Sequence, residues 1–153
     1  MEKTITAEPS LEEVREHFKN DQFATRAAGC YIIEARPGYA KAAFDISDIH
    51  KNAMGNVMGG ASFSLADFTV AVASNLDRAE VSSAASIQYI GRCKGKQLIA
   101  TAVADKRGHT LAYYTVTIED ELGNLIAKAT FTSMCIGWQL TPSTLPKTTT
   151  YSA

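Results

Sequence analysis

The segment His50–Asn75, HKNAMGNVMGGASFSLADFTVAVASN, decides how this chain folds. A polar loop leads into Gly59-Gly60, and the most hydrophobic stretch of the chain follows with one acid inside it, Asp67. From Gly59 to about Asn75 the stretch reads as one helix, roughly 25 Å long at 1.5 Å per residue. It is apolar nearly all round, so other elements must enclose it. It is about long enough to span a bilayer. However, Asp67, Thr69 and several serines interrupt it and no basic flank follows, so the expectation is a helix buried in protein, with no membrane partner.

Working outward, Ser10 followed by Glu13 fits a capping box that opens a helix with Leu11, Val14 and Phe18 on one side. A short helical piece over Phe23–Ala27 should end at Gly29. CYIIEARPGYAKAAFDI reads as a hairpin: a strand from Cys30, a turn at Pro37-Gly38 and a return strand to Ile46. His50 to Met58 is a loop. After the long helix come SSAASIQYI, QLIATAVADKR, LAYYTVTIED and LIAKATFTSMCIGW, rich in β-branched and aromatic residues and separated by turn residues such as Gly108 and Gly123-Asn124. The predicted class is α+β: a strongly curved antiparallel sheet wrapped around one long central helix. One domain should cover residues 1–140, with an N-terminal helical extension. The Thr/Ser/Pro-rich stretch 141–153 is expected to be a flexible tail. No internal repeat is visible.

Composition narrows the function. The chain has 153 residues, 46% hydrophobic and 20% charged, which is a globular balance for one domain. A formal net charge of −1 gives no reason to expect a nucleic-acid partner. Cys30, Cys93 and Cys135 are odd in number and without C-x-x-C spacing, which favours reduced thiols and a cytoplasmic location. The N-terminal MEKTITAEPS has no basic-then-apolar pattern, so secretion is not expected.

The chemistry centres on Asp67. By i±3 and i±4 spacing it shares a helix face with Phe63, Ser64, Val70 and Ala71. A carboxylate there is costly unless it is paired, hydrated or lining a cavity. A structural acid bonded to loop backbone is the plain alternative. Gly59 and Gly60 lie where the first free N–H groups of the helix point outward, and without a Cβ they let a ligand oxygen approach closely. Those groups and the positive end of the helix dipole suit a polarised carbonyl or oxyanion. Asp67 is about two turns further on, roughly 12 Å away, too far to share an atom with its own Gly59. Two antiparallel copies of the helix across a dimer interface would bring one acid to the other helix start.

Asn52, Met58-Gly59-Gly60 and Asp67 together resemble the signature of hotdog-fold acyl-CoA thioesterases, specifically the PaaI-like branch of the 4-hydroxybenzoyl-CoA thioesterase superfamily. That pattern has Asn, then His-Gly-Gly six residues later, then F-x-L-A-D. SAASIQYIGRCKG is similar to the family strand ending in Tyr-Leu-Arg-Pro-Ala, and RGHTLAYYTVTIEDELGNLIAKATFT to its closing hairpin. The likeness runs from about Asp48 to Thr132, and its Gly-Gly-to-Asp segment is its most specific part.

The resemblance implies hydrolysis of an acyl-CoA or acyl-carrier thioester. Gly59 would donate its N–H to the thioester carbonyl. Asp67 from the partner subunit would act as nucleophile or as general base toward water. Asn52 would sit near the water or the acid, and Ser82, at the start of the following strand, would hold water. Met58, Gly60 and Phe63 would contact substrate. Arg92, Lys94 and Lys96 form a basic cluster that could meet CoA phosphates, with a solvated loop as the plain alternative. No cofactor is implied beyond the coenzyme A that the substrate carries, and no metal. The expected partners are acyl-CoA and the chain itself, as homodimer or homotetramer. The departure from the pattern is Met58, where the family has His. A thioether has no donor and is only a weak acceptor. A catalytically weak acyl-CoA-binding protein is therefore the alternative reading. A hydratase ranks last, because hotdog hydratases pair Asp with a His five residues on, and here that position is Val72.

The other candidates have plainer expectations. His17 should be solvated on a surface helix, His50 should make a loop hydrogen bond, and His109 should lie in a turn. Met54 should line the site or join the core.

Overall fold

The computed structural model describes residues 8–138; the stretch 141–153 lies outside the described residues. Helix α1 spans Leu11–Phe18 and opens with the expected capping box, Glu13 N–H donating to Ser10 Oγ and Ser10 N–H to Glu13 Oε2. Val14 and Phe18 point into the core, and the Phe18 ring meets Phe68 edge-on at 6.0 Å. A π-helical turn follows at Phe23–Ala27, closed by Ala28 N–H donating to Phe23 O.

Strands β1 (Tyr31–Arg36) and β2 (Tyr39–Asp45) form the expected hairpin, with Gly38 at φ 80° in its turn. A short 3₁₀ turn, Asp48–His50, leads into the loop before helix α2, Gly59–Ser74. Then come β3 (Arg78–Tyr89), β4 (Gln97–Arg107), β5 (Leu111–Asp120) and β6 (Leu125–Trp138). All ladders are antiparallel, in the order β1-β2-β4-β5-β6-β3. The sheet curves around α2, whose Leu65, Ala66, Phe68, Val70, Val72 and Ala73 are buried against inward-facing Ala42, Phe44, Ala100, Val116 and Phe131. Alanines on β2 and β4 leave room for the helix to lie close to the sheet. The α+β architecture with one central helix is as the sequence implied.

Four expectations need correction. The helix α2 is not enclosed all round: Gly60 and Asp67 are exposed, and Ala61, Phe63, Ser64 and Ala71 are only half-buried. β3 begins at Arg78, four residues before Ser82. The charged start of that strand is buried because Glu80 is satisfied from several sides: it pairs with Arg78, accepts from Tyr114 Oη at 2.9 Å, and lies 3.5 Å from Arg107. His17 is half-buried, edge-on to Phe18 at 5.0 Å, and burial lowers its pKa against the opposing charge of Asp21. Met54 is 83% exposed and does not join the core.

Among the described residues no helix is long and apolar enough to cross a membrane, and no cluster of three or more His, Cys, Asp or Glu could hold a metal ion.

Candidate active site

The loop before α2 is built by its own side chains. Asn52 Oδ1 accepts from Met54 N–H at 3.0 Å and Asn56 N–H at 3.1 Å, and Met58 N–H donates to His50 O at 2.8 Å. His50 is buried and stacked on Phe44 at 4.0 Å. Its Nδ1 accepts from Ser47 N–H, so its Nε2–H donates to Ala28 O at 2.7 Å. His50 thus ties the loop to the end of the π-helical turn, the structural role expected of it.

Met58 takes extended backbone, φ −66° and ψ 139°, and no side chain caps the helix. Its carbonyl accepts from Ala61 and Ser62, while the N–H groups of Gly59 and Gly60 have no acceptor among the described residues. This gives two free donors at the positive end of a 16-residue helix. The Met58 side chain is 54% exposed beside them.

Asp67 lines a cavity of about 410 Å³ with Asp21, Phe23, Phe63, Ser64 and Phe68. It is exposed in the single chain, yet the surrounding protein raises its pKa by desolvation, and the charge of Asp21 raises it further. A second cavity of about 400 Å³ adjoins it, walled by Ala27, Ala28, Ile49, His50, Met58, Gly60 and Ala61, with Phe23 and Ser64 common to both. Residues 60, 61, 64, 67, 68 and 71 recur at helical spacing, so one face of α2 floors both cavities.

Phe63 lines the Asp67 cavity and stacks on Phe131 at 5.8 Å. Ser82 is exposed on β3, which is an edge strand, opposite Ser133. Arg92 lines a third cavity of about 320 Å³ with Asn56, Val57, Tyr89, Ile90 and Cys93, close to the helix start. Lys94 and Lys96 are exposed and do not line it; their backbone N–H groups donate to Asp120 and Glu121. The structure therefore brings Met58 and Gly60 to one end of a groove and Asp67 and Phe63 to the other. It sets Arg92 at a neighbouring mouth and leaves Ser82 on the open sheet edge.

Sequence reading missed Asp21, Phe23 and Tyr89. Asp21 and Phe23 carry no motif. Tyr89 ends a recognisable strand, but only the fold shows that its ring lies on Gly59.

Comparison with known proteins accords with this geometry. The family model for the thioesterase superfamily matches residues 54–127. A protein of Deinococcus radiodurans named "Putative esterase" is 33% identical over 65% of this chain and 69% of its own length. One of the same name from Archaeoglobus fulgidus is 32% identical over 78% and 79%. Among solved structures, the E. coli PaaI protein from the phenylacetic acid degradation operon superimposes with a TM-score of 0.73 at 26% identity, covering 85% of this chain and 99% of that one. A hypothetical thioesterase from Streptococcus pneumoniae, solved with coenzyme A, gives 0.73 at 25% identity over 80% and 99%. The chain belongs to the thioesterase superfamily, as a PaaI-like member with the hotdog fold.

Proposed function

We propose that this protein hydrolyses an acyl-CoA or acyl-carrier thioester to free acid and thiol at a site shared by two subunits. The observation that carries this reading is the pairing of free Gly59 and Gly60 N–H donors at the start of α2 with a carboxylate, Asp67, on the open face of the same helix. The coenzyme A in the related Streptococcus pneumoniae structure supports the choice of thiol.

The carbonyl oxygen of the thioester accepts from Gly59 N–H, which stabilises the charge that develops there. In the general-base route, Asp67 of the partner subunit takes a proton from water. The water oxygen bonds to the carbonyl carbon, the C–S bond breaks, and the thiolate leaves and is protonated. In the nucleophilic route, the same carboxylate attacks, releases the thiol and forms an anhydride that water then opens. Met58 contributes apolar contact and no proton. Arg92 sits where it could meet a phosphate of CoA, with Lys94 and Lys96 further out.

Pairing with a second copy is supported by β3. This edge strand is twelve residues long, and it is exposed from Val81 through Ser86. A long open edge of this kind is a ready template for another strand. A dimer joined there, or a dimer of dimers, can set one helix start against the other chain's acid.

A panel of CoA thioesters assayed by thiol release tests the proposal. Turnover of at least one thioester, lost in Asp67→Asn, is the expected result. Acyl-CoA binding without hydrolysis would select the alternative of a binding protein, which Met58 in place of the family His favours. Sedimentation at micromolar concentration should give a dimer or tetramer, and an active monomer would overturn the shared site.

A further inference from the structure

We propose that Phe23 is a specificity-determining residue, a partition that limits how long an acyl group the site accepts. The inference rests on the thioester-hydrolase reading and deepens it. One face of α2 floors two cavities, about 400 Å³ at the Met58–Gly60 end and about 410 Å³ at the Asp67 end. The π-helical turn walls both, through Ala27 and Ala28 at one end and Gln22 and Ala24 at the other. Phe23 and Ser64 alone belong to both linings. Ser64 is a small floor residue whose hydroxyl is already donated to Gly60 O at 2.8 Å. The dividing bulk is therefore the Phe23 ring.

This ring is 70% exposed, while its neighbours Ala24 and Ala28 are buried and anchor the turn. The ring is therefore not committed to the core and is available to what fills the groove. The Met58 end is walled by Ala27, Ala28, Ile49 and Ala61, with the His50 ring, bonded at both nitrogens, beside them. An acyl group whose carbonyl rests on the free N–H groups at the start of α2 can enter this end beside Met58 and Gly60, with apolar walls on each side. Chains that fill it end against Phe23. Longer ones must displace the ring or turn out to solvent, so added methylenes beyond that point gain little burial.

The experiment uses S-alkyl-CoA thioethers of rising chain length, which bind as acyl-CoA analogues and cannot be hydrolysed. Dissociation constants are measured by calorimetry on the full chain, for the parent, Phe23→Ala and Phe23→Trp. In the parent, affinity should rise about fourfold per buried methylene and then stop rising at a defined length. Phe23→Ala should move that break to longer chains, so that the analogue two methylenes past it binds the variant about 15-fold more tightly than the parent. Phe23→Trp should move the break to shorter chains. Because the ring is mostly exposed, both variants should keep the parent's unfolding temperature within a few degrees. Breaks at the same length in all three proteins would overturn the partition and leave the hydrolase reading standing. Absence of binding by any analogue, together with no thioester turnover, would overturn both.

Discussion

The Tyr89 ring lies on Gly59 so closely that a Cβ at residue 59 would come within 2.7 Å of Tyr89 Cζ. The last residue of β3 thus covers the start of α2. Only glycine lets the ring lie that close. Gly59→Ala favours the helix by up to about 1 kcal/mol in backbone terms, and the exposed Tyr89 side chain can swing aside. The variant should therefore melt near the parent while its kcat/KM falls at least tenfold. Adding Tyr89→Ala relieves the contact but leaves the new methyl over the N–H. If the double variant recovers full activity, the loss came from Tyr89 and not from blocked approach to the donor.

Asp67→Asn preserves shape and removes the base or nucleophile. A loss of about 10²–10⁴-fold in kcat is expected, with far-ultraviolet circular dichroism and melting unchanged. Turnover within a few-fold of the parent would make Asp67 a structural acid.

The rate should rise with pH as Asp67 ionises. Burial first, and then Asp21, raise its pKa, so the acid limb should lie above the range of an ordinary aspartate. Asp21→Asn removes a like charge from the same cavity wall and should move that limb to lower pH. The limb is read from kcat/KM against pH. An unmoved limb would show that the two carboxylates do not sense each other in solution.

Met58→His restores a nitrogen donor or acceptor beside the Gly59 N–H. One oxyanion donor is worth about 3–4 kcal/mol, and a secondary orienting group less. A rise of about tenfold or more in kcat/KM toward acyl-CoA is expected. A fall from an active parent would mean that the thioether belongs to a pocket adapted to it.

Asp120 holds the 91–96 loop to the β5–β6 turn. Its carboxylate accepts from the N–H groups of Lys94, Gly95, Leu122 and Asn124 and from the Asn124 side chain. Burial opposes its ionisation, but these donors outweigh it and hold the pKa at about 2. A folded-state pKa below the ordinary value means stability that is fully present above that value and lost as pH falls through about 2. Asp120→Ala should cost about 3 kcal/mol near neutral pH, because several donors lose a charged acceptor at once. Denaturant melts of parent and variant should converge as pH falls toward that value.

Much of the fold was legible because its signals are local. The Ser10–Glu13 box, the Pro37-Gly38 turn, the apolar run after Gly59 and the alternating strands each depend on residues within a turn or two of one another. The start of β3 was not, because Arg78 and Glu80 read as loop until Tyr114 and Arg107 arrive from other strands to satisfy them. The sequence by itself singled out Asp67 and the Met58-Gly59-Gly60 helix start as the candidate site. Only the tertiary structure decided what surrounds them. It brought Asp21 and Phe23 from the N-terminal extension over the α2 face, committed the Asn52 oxygen to its own loop, and laid Tyr89 on Gly59. The Asn52 bonds are local, but the other relationships join segments far apart in the chain. They are fixed by how tightly the sheet closes on α2, which no local pattern encodes.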